Sequence, residues 1–434
     1  MFAYHLDLAL RSLKRSPALT VLMVLAIAMG IGASMTTLTI YTALAGDPLP
    51  QRSARVFHVQ VDPRPMEDYA PGVEPESQLT RFDAEALLRD ARGQRQAMMT
   101  GGRVVLMPEG ADATPFVADS RYASADFFPM FDVPLRFGRS WSAAEDSGRE
   151  RVVVISSSLN QRLFGGANPV DRSVRINETQ FRVIGVIGDW QPTPYFFDLN
   201  VGRYRELEGV FIPFSTAIEL KLGRSGSTTC FGDVATSDAT ALAAPCVWIQ
   251  YWVQLDDAAK AREYREYLDR YAEQQRAAGR FARPPNARLR PVMAWLDQQR
   301  VVPADAQLQV WLALGFLLVC LVNTVGLLLA KCLRRAPEIG VRRALGASKR
   351  AIFAQFLVEA GLIGLLGGLL GLVFAGIGLW LVRSDTQSPP QMLSVDWPML
   401  LAGFGLELVA TLIAGLLPAW RACQVTPALQ LKSQ

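Results

Sequence analysis

Between Lys331 and Ala360 the chain reads KCLRRAPEIGVRRALGASKRAIFAQFLVEA, with seven Lys or Arg residues from Lys331 to Arg350. Such a run can recognise a charged partner; it makes and breaks no bonds. Pro337 suits the first turn of a helix, where its missing N–H is not needed. Glu338 and Arg342 then face each other four residues apart, and Gly346 ends the helix. Val341, Ala344 and Leu345 fall within roughly a 100° arc at the 3.6-residue period. They are expected to lie on apolar neighbours while Arg342 and Arg343 point towards a partner. Ser348 can cap a second helix, whose Ile352, Phe356 and Leu362 lead into the next apolar run. An ordinary basic loop that only sets membrane orientation would carry the same charge.

Other chemistry is largely excluded. No G-x-x-x-x-G-K-[ST] string occurs, so the chain has no phosphate cradle of that kind and is not expected to be an ATPase. Neither a nucleophile elbow nor a zinc-protease helix is present, and no catalytic residue is assigned. The cysteine spacing and the two histidines, His5 and His58, suggest no metal site and no cofactor bound by this chain. The net charge of +4 follows from the placing of Arg and Lys near the membrane and gives no case for nucleic acid.

Four apolar runs are long enough to cross a bilayer: Pro17 to Gly46, Leu308 to Ala330, Ala360 to Val382 and Trp397 to Trp420. Only the last holds a charge, Glu407, which is an intramembrane functional candidate, a protonated carboxyl, or a group satisfied by Asn323 or Thr324. The first run reads as a retained helix and not as a cleaved leader. Ala26, Gly30 and Ser34 recur every four residues, as do Gly364 with Gly368 and Gly367 with Gly371, and such small residues let helices approach closely. Basic residues gather before the first run, after the second and after the fourth, which places those faces, and both termini, in the cytoplasm.

The expected architecture is an α-helical membrane protein with four transmembrane helices and a large α+β extracytoplasmic domain between the first and second. Its parts are an amphipathic helix (1–16), spans at 17–46, 307–330, 351–382 and 397–420, and the external domain at 47–306. A basic segment (331–350), a short external loop (383–396) and a tail (421–434) complete it. In the external domain, strands are expected at Arg55–Val61, Arg103–Met107, Thr114–Ala118 and Val152–Ile155, with helices at Arg81–Ala91 and starting at Ser157 or Ser158. Val247–Leu255 alternates as a two-sided strand whose Trp248 and Trp252 either meet a partner or pack beneath a helix. Asp256 is expected to cap a helix reaching Ala278, and Arg288–Leu296 to return as a strand. Gly223–Pro245, rich in Gly, Ser, Thr and Ala, is expected as a loop that Cys230 and Cys246 could pin. The two cysteines stand either as a disulfide, worth about 3 kcal/mol in the chain-entropy model, or as two free thiols.

The string Glu338-Ile339-Gly340-Val341-Arg342-Arg343-Ala344-Leu345-Gly346-Ala347, followed by Gln355-Phe356-Leu357 and Glu359-Ala360, resembles the signature of the FtsX-like permease family, the membrane subunits of MacB-type ABC transporters. Phe127, Phe128, Gly138, Arg139, Ser156, Phe164, Gly165, Pro169, Gly185 and Val186 stand where the MacB-like periplasmic core domain has them. Asp171 departs from that pattern, which usually has glycine there.

The resemblance implies that Glu338, Ile339, Gly340, Arg342, Arg343, Leu345 and Gly346 form a coupling segment docking on a separate ABC ATPase, which binds the ATP and Mg. It further implies a bacterial inner-membrane protein that pairs with a second, identical or different, permease chain. That pair would transmit ATP-driven motion to the periplasm for export, with a periplasmic adaptor and an outer-membrane duct as further partners. Lipoprotein extraction, antimicrobial-peptide resistance and control of a cell-wall hydrolase use the same architecture. A membrane-anchored receptor without an ATPase is the alternative of another class.

Overall fold

The computed structural model describes residues 2–108, 114–232 and 238–384, together with 401, 404–405, 408–413, 415–416 and 419–420. The chain divides into two compact units, Gly46–Val301 and a second made of Met1–Ala45 with Val302–Gln434.

In the second unit, α1 (Phe2–Arg15) and α2 (Pro17–Ala45) are separated at Ser16, and Pro17 opens α2 without forfeiting a needed donor. The spacing of small residues on α2 has a direct consequence. A Cβ on Gly30 would lie 3.0 Å from Leu317 Cδ1 and 3.2 Å from Cys320 Cβ, and Ser34 Oγ donates to the carbonyl of Ala313 at 3.0 Å. The Ala26–Gly30–Ser34 stripe is therefore the face on which another long helix rests.

The Gly46–Val301 unit follows in sequence. Its elements begin with β1 (Val56–Gln60), β2 (Leu79–Thr80), α3 (Arg81–Asp90), β3 (Arg95–Met107), β4 (Phe116–Ala123), α4 (Phe127–Met130) and β5 (Leu135–Gly138). Next come α5 (Ala143–Ser147), β6 (Val152–Ile155), α6 (Ser157–Phe164), β7 (Ser173–Ile176), β8 (Thr179–Ile187), β9 (Val210–Pro213) and α7 (Phe214–Glu219). The unit ends with β10 (Arg224–Ser225), β11 (Thr229–Cys230), β12 (Cys246–Gln254), α8 (Ala258–Ala277), β13 (Arg288–Pro291) and α9 (Val292–Gln298).

The sheet runs β13-β1-β12-β3-β4-β9-β6-β8-β5, with β10 and β7 added on β3 and β2 and β11 on β12. Pairing is antiparallel except for β4 with β9 and β6 with β8. Both faces of the central strands are covered. Tyr251 and Val253 of β12 join Leu87 of α3 and Tyr264 and Leu268 of α8, while Trp252 joins Phe127, Phe131, Phe197 and Trp295. Every residue of β12 is buried. The tryptophans of this strand thus pack inside: Trp252 Nε1 donates to the carbonyl of Phe197 at 3.1 Å, and Arg224 lies over the Trp248 ring.

Several boundaries differ from the sequence reading. Arg103–Met107 is only the end of β3, because the strand begins at Arg95, with Arg95–Met99 paired to β12 and Met99–Leu106 to β4. Asp257, not Asp256, caps α8, accepting from the amides of Ala259 and Lys260 at 2.8 and 2.9 Å, while Asp256 pairs with Lys260. The helix α6 begins at Ser157, one of the two positions expected, with Ser156 as its cap, and Gly165 closes it at φ +64°. Arg288–Leu296 is not one strand, since the chain turns into α9 after Pro291 and buries Val292, Trp295 and Leu296. Asp171 adopts φ +67°, the left-handed conformation glycine would otherwise supply.

After this unit come α10 (Ala304–Arg334), α11 (Ala336–Ala344) and α12 (Lys349–Ser384). Three helices are long and apolar enough to cross a membrane: α2, α10 and the Lys349–Val382 part of α12. A Cβ on Gly367 or Gly371 of α12 would lie 2.7 or 2.5 Å from Cγ2 of Ile27 or Ile31 on α2. The other pair faces elsewhere, Gly364 meeting Thr411 and Gly368 meeting Phe404. The fourth apolar run lies partly outside the described residues; within it, residues 408–413 are helical.

Candidate partner-docking site

The α11 helix is joined to α10 by Arg335 alone and buries the stripe Ala336, Ile339 and Gly340. Ile339 packs with Cys332, Ile352 and Phe356. This corrects the expected orientation of the helix. At 100° per residue Val341 lies about 200° around the helix from Ile339, so anchoring Ile339 turns Val341, Ala344 and Leu345 outwards. Val341 is 54% and Leu345 83% exposed. The outcome is an apolar patch bounded by charge, the surface composition of a protein contact.

Glu338 and Arg342 form the expected pair, with Arg342 Nη2 donating to Glu338 Oε1 at 2.7 Å. Arg342 Nη1 reaches Gln355 Oε1 at 3.3 Å, and Arg15 approaches Glu338 at 3.4 Å. These half-exposed ion pairs set side-chain direction more than stability. Gly346, at φ +97°, ends the segment in a conformation that L side chains rarely adopt. Ser348 Oγ accepts from the amide of Ala351 at 3.2 Å, starting α12. Arg343 is on α11, and its side chain lies outside the described residues, as does Glu407.

Beneath this surface is a buried polar cluster that the sequence reading did not assemble. Glu359 of α12, 1% exposed, pairs with Lys331 of α10, 4% exposed. Arg335 Nη1 lies 3.8 Å from the second oxygen of Glu359 and donates to Ser12 Oγ at 2.5 Å, and Ser12 Oγ donates to Glu359 at 2.7 Å. One carboxylate therefore ties α1, α10 and the start of α12 together directly below α11. The available signal was an acid and a lysine each at the edge of an apolar run, where a charge is retained only if paired.

In the Gly46–Val301 unit, Cys230 and Cys246 are joined as a disulfide with Cα atoms 4.0 Å apart, between the paired strands β11 and β12. Cys320 and Cys332 are buried. Arg121, fully buried, donates to Asp198 and Glu208 at 2.5 Å each, and Tyr195 donates to Glu208. Burial opposes the Arg121 charge, but Glu208, Tyr195 and Asp198 hold its pKa well above the ordinary value. This network ties the long β8–β9 connection to β4. His58 stacks on Trp295 at 3.7 Å and lies 3.2 Å from Gln250 through Nε2, and burial lowers its pKa to about 3. Among the described residues, no group of His, Cys, Asp and Glu could hold a metal ion.

Comparison with known proteins agrees with both halves of this architecture. Residues 20–271 match the MacB-like periplasmic core domain and residues 310–427 the FtsX-like permease C-terminal domain. The macrolide export ATP-binding/permease protein MacB of Wolinella succinogenes is 24% identical over 99% of this chain and 60% of its own length. The pyoverdine export ATP-binding/permease protein PvdT of Pseudomonas fluorescens is 25% identical over 83% of this chain and 49% of its own. The chain thus spans about half the length of the curated relatives it matches. The crystal structure of the periplasmic region of MacB from Actinobacillus actinomycetemcomitans covers 58% of this chain and 94% of that one, at 15% identity and a TM-score of 0.37. Carrying a MacB-like core domain and an FtsX-like C-terminal domain on one multi-pass chain, this protein belongs to the MacB-type, FtsX-like family of ABC transporter permeases.

Proposed function

We propose that the chain is the mechanical, non-catalytic subunit of an export system, in which α11 receives motion from a separate ABC ATPase and the membrane helices pass it to the periplasmic domain. The observation that carries this reading is the outward patch of Val341, Ala344 and Leu345 beside the Glu338–Arg342 pair, on a helix anchored from behind by Ile339. A short helix fixed on one face and apolar on the other suits force transfer, because displacement of α11 must move α10 and α12 with it. The Glu359 cluster adds a second rigid link at the same level.

In this reading α11, both termini and the Arg421–Gln434 tail face the cytoplasm, Trp397–Trp420 completes a fourth span, and the protein lies in the bacterial inner membrane. Two permease chains and two ATPases form the unit, with ATP and Mg held by the ATPases. An adaptor and an outer-membrane duct complete the export path. The relatives named for macrolide and pyoverdine export support export as the direction of transport.

Arg342→Glu combined with Arg343→Glu is the test. The variant should insert normally, yet lose co-purification with the cognate ATPase by more than tenfold, since removing one member of a desolvated charge pair costs about 2–5 kcal/mol. Full ATPase recovery and normal transport by the variant would place the contact elsewhere.

A further inference from the structure

At the junction of α1, α2, α10 and α11 there is a cleft of about 410 Å³. Arg15, Ser16 and Leu19 form one wall, Lys331, Arg334 and Arg335 the other, and Pro337 and Glu338 close the α11 side. We propose that this cleft binds the phosphate headgroup of an anionic phospholipid.

Charge is the first argument. Four cationic side chains line the cleft, against Glu338 at its rim and Glu359 behind its wall, which leaves an excess of two positive charges. Arg334 is exposed and has no ion-pair partner among the described residues. Arg335 is held in place by Ser12 beside Glu359, so it presents its charge without a large ordering cost when a ligand arrives, while Lys331 stays buried against Glu359 behind it.

Ser16, in the wall with Arg15 and Leu19, supplies the second argument. Ser16 Oγ is shielded from water and has no hydrogen-bond partner, an unsatisfied group that a phosphate oxygen would satisfy. It sits at the N-terminal end of the long helix α2, the end whose dipole favours an anion.

Position distinguishes a lipid from a soluble phosphate. The apolar run of α2 begins at Pro17 and that of α10 ends at Ala330, so the cleft lies at the level where membrane helices leave the hydrocarbon. Leu19 gives it an apolar edge on that side. Basic pockets between membrane helices at this depth suit acidic headgroups. The assignment does not depend on the docking role of α11.

The full chain, purified in a zwitterionic detergent, would be titrated with phosphatidylglycerol, phosphatidylcholine and inorganic phosphate, and binding read by native mass spectrometry and by the thermal midpoint. Phosphatidylglycerol should bind and raise the midpoint, whereas phosphatidylcholine and inorganic phosphate should do neither at equal concentration. Arg15→Gln and Arg334→Gln should each weaken phosphatidylglycerol binding about fivefold, the effect of one interfacial charge. Arg350→Gln, which removes an exposed charge outside the cleft, should change it less than twofold. Both cleft residues are exposed at the surface, so each variant should melt as the parent does without lipid. Equal binding of phosphatidylcholine, or equal losses in all three variants, would overturn the site. Competition by inorganic phosphate at the same concentration would overturn the lipid as its occupant.

Discussion

Glu359 of α12 holds Lys331 of α10 in a contact that leaves both side chains almost inaccessible to water. The pair is one of three links through which a single carboxylate joins α1, α10 and α12, and it lies where two membrane helices meet the base of α11. Removing one charge of such a pair leaves the other buried without compensation. Removing both is far less damaging.

Glu359→Leu should therefore lower stability by about 3–5 kcal/mol, whereas Lys331→Met combined with Glu359→Leu should recover most of the loss. Thermal melting in detergent of the two single variants and the double variant measures the coupling. Additive losses would show that the two side chains act independently.

Gly371→Ala should loosen the contact between α2 and α12. The added methyl would lie 2.5 Å from Cγ2 and 2.6 Å from Cβ of Ile31, atoms next to the backbone that cannot swing aside. A cost of about 1–3 kcal/mol is expected from overpacking. At Gly376, where a Cβ meets nothing within 4 Å, the same substitution should be neutral. Comparison of the two melting points decides the matter.

Acid should weaken the periplasmic domain through His58. Burial lowers its pKa from 6.5 to about 3, so between these values the unfolded chain binds a proton that the folded one refuses. The contribution is complete above pH 6.5 and is lost as pH falls, at about 1.4 kcal/mol per unit. Denaturant titrations of the full chain at pH 7 and pH 5, followed by tryptophan emission, should show His58→Gln losing about 2 kcal/mol less than the parent over that interval. Parallel curves for the two proteins would count against it.

The Cys230–Cys246 link closes a loop across β11 and β12, with a sequence separation of 16. Replacing both residues by Ser should cost about 3 kcal/mol, from the greater freedom of the unfolded chain. Peptide mapping without reductant should recover the two cysteines as one linked species. Free thiols in freshly prepared membranes would remove the prediction.

Much of the local structure was legible in the sequence, because short-range rules decide it. Pro17 and Pro337 in first helical turns, Gly346 past the end of α11 and the Glu338–Arg342 spacing all act within a few residues, and the structure has them as expected. Membrane helices were visible because a run of apolar residues with internally paired backbone is stable in lipid wherever it lies in the chain. The family signature, too, is a property of linear order.

Sidedness was not legible, because it depends on which neighbour arrives. Val341, Ala344 and Leu345 form a coherent arc in the sequence, but the packing of Ile339 against Ile352 and Phe356 turns that arc outwards. Trp248 and Trp252 alternate with Ile249 and Tyr251 along β12, and only cover on both faces of the sheet decides that all of them are buried. Ser12, Lys331 and Glu359 become neighbours across as many as 347 positions of sequence. Periodicity relates residues within one element; a buried charge cluster is a relation between elements, and helix packing alone brings it together.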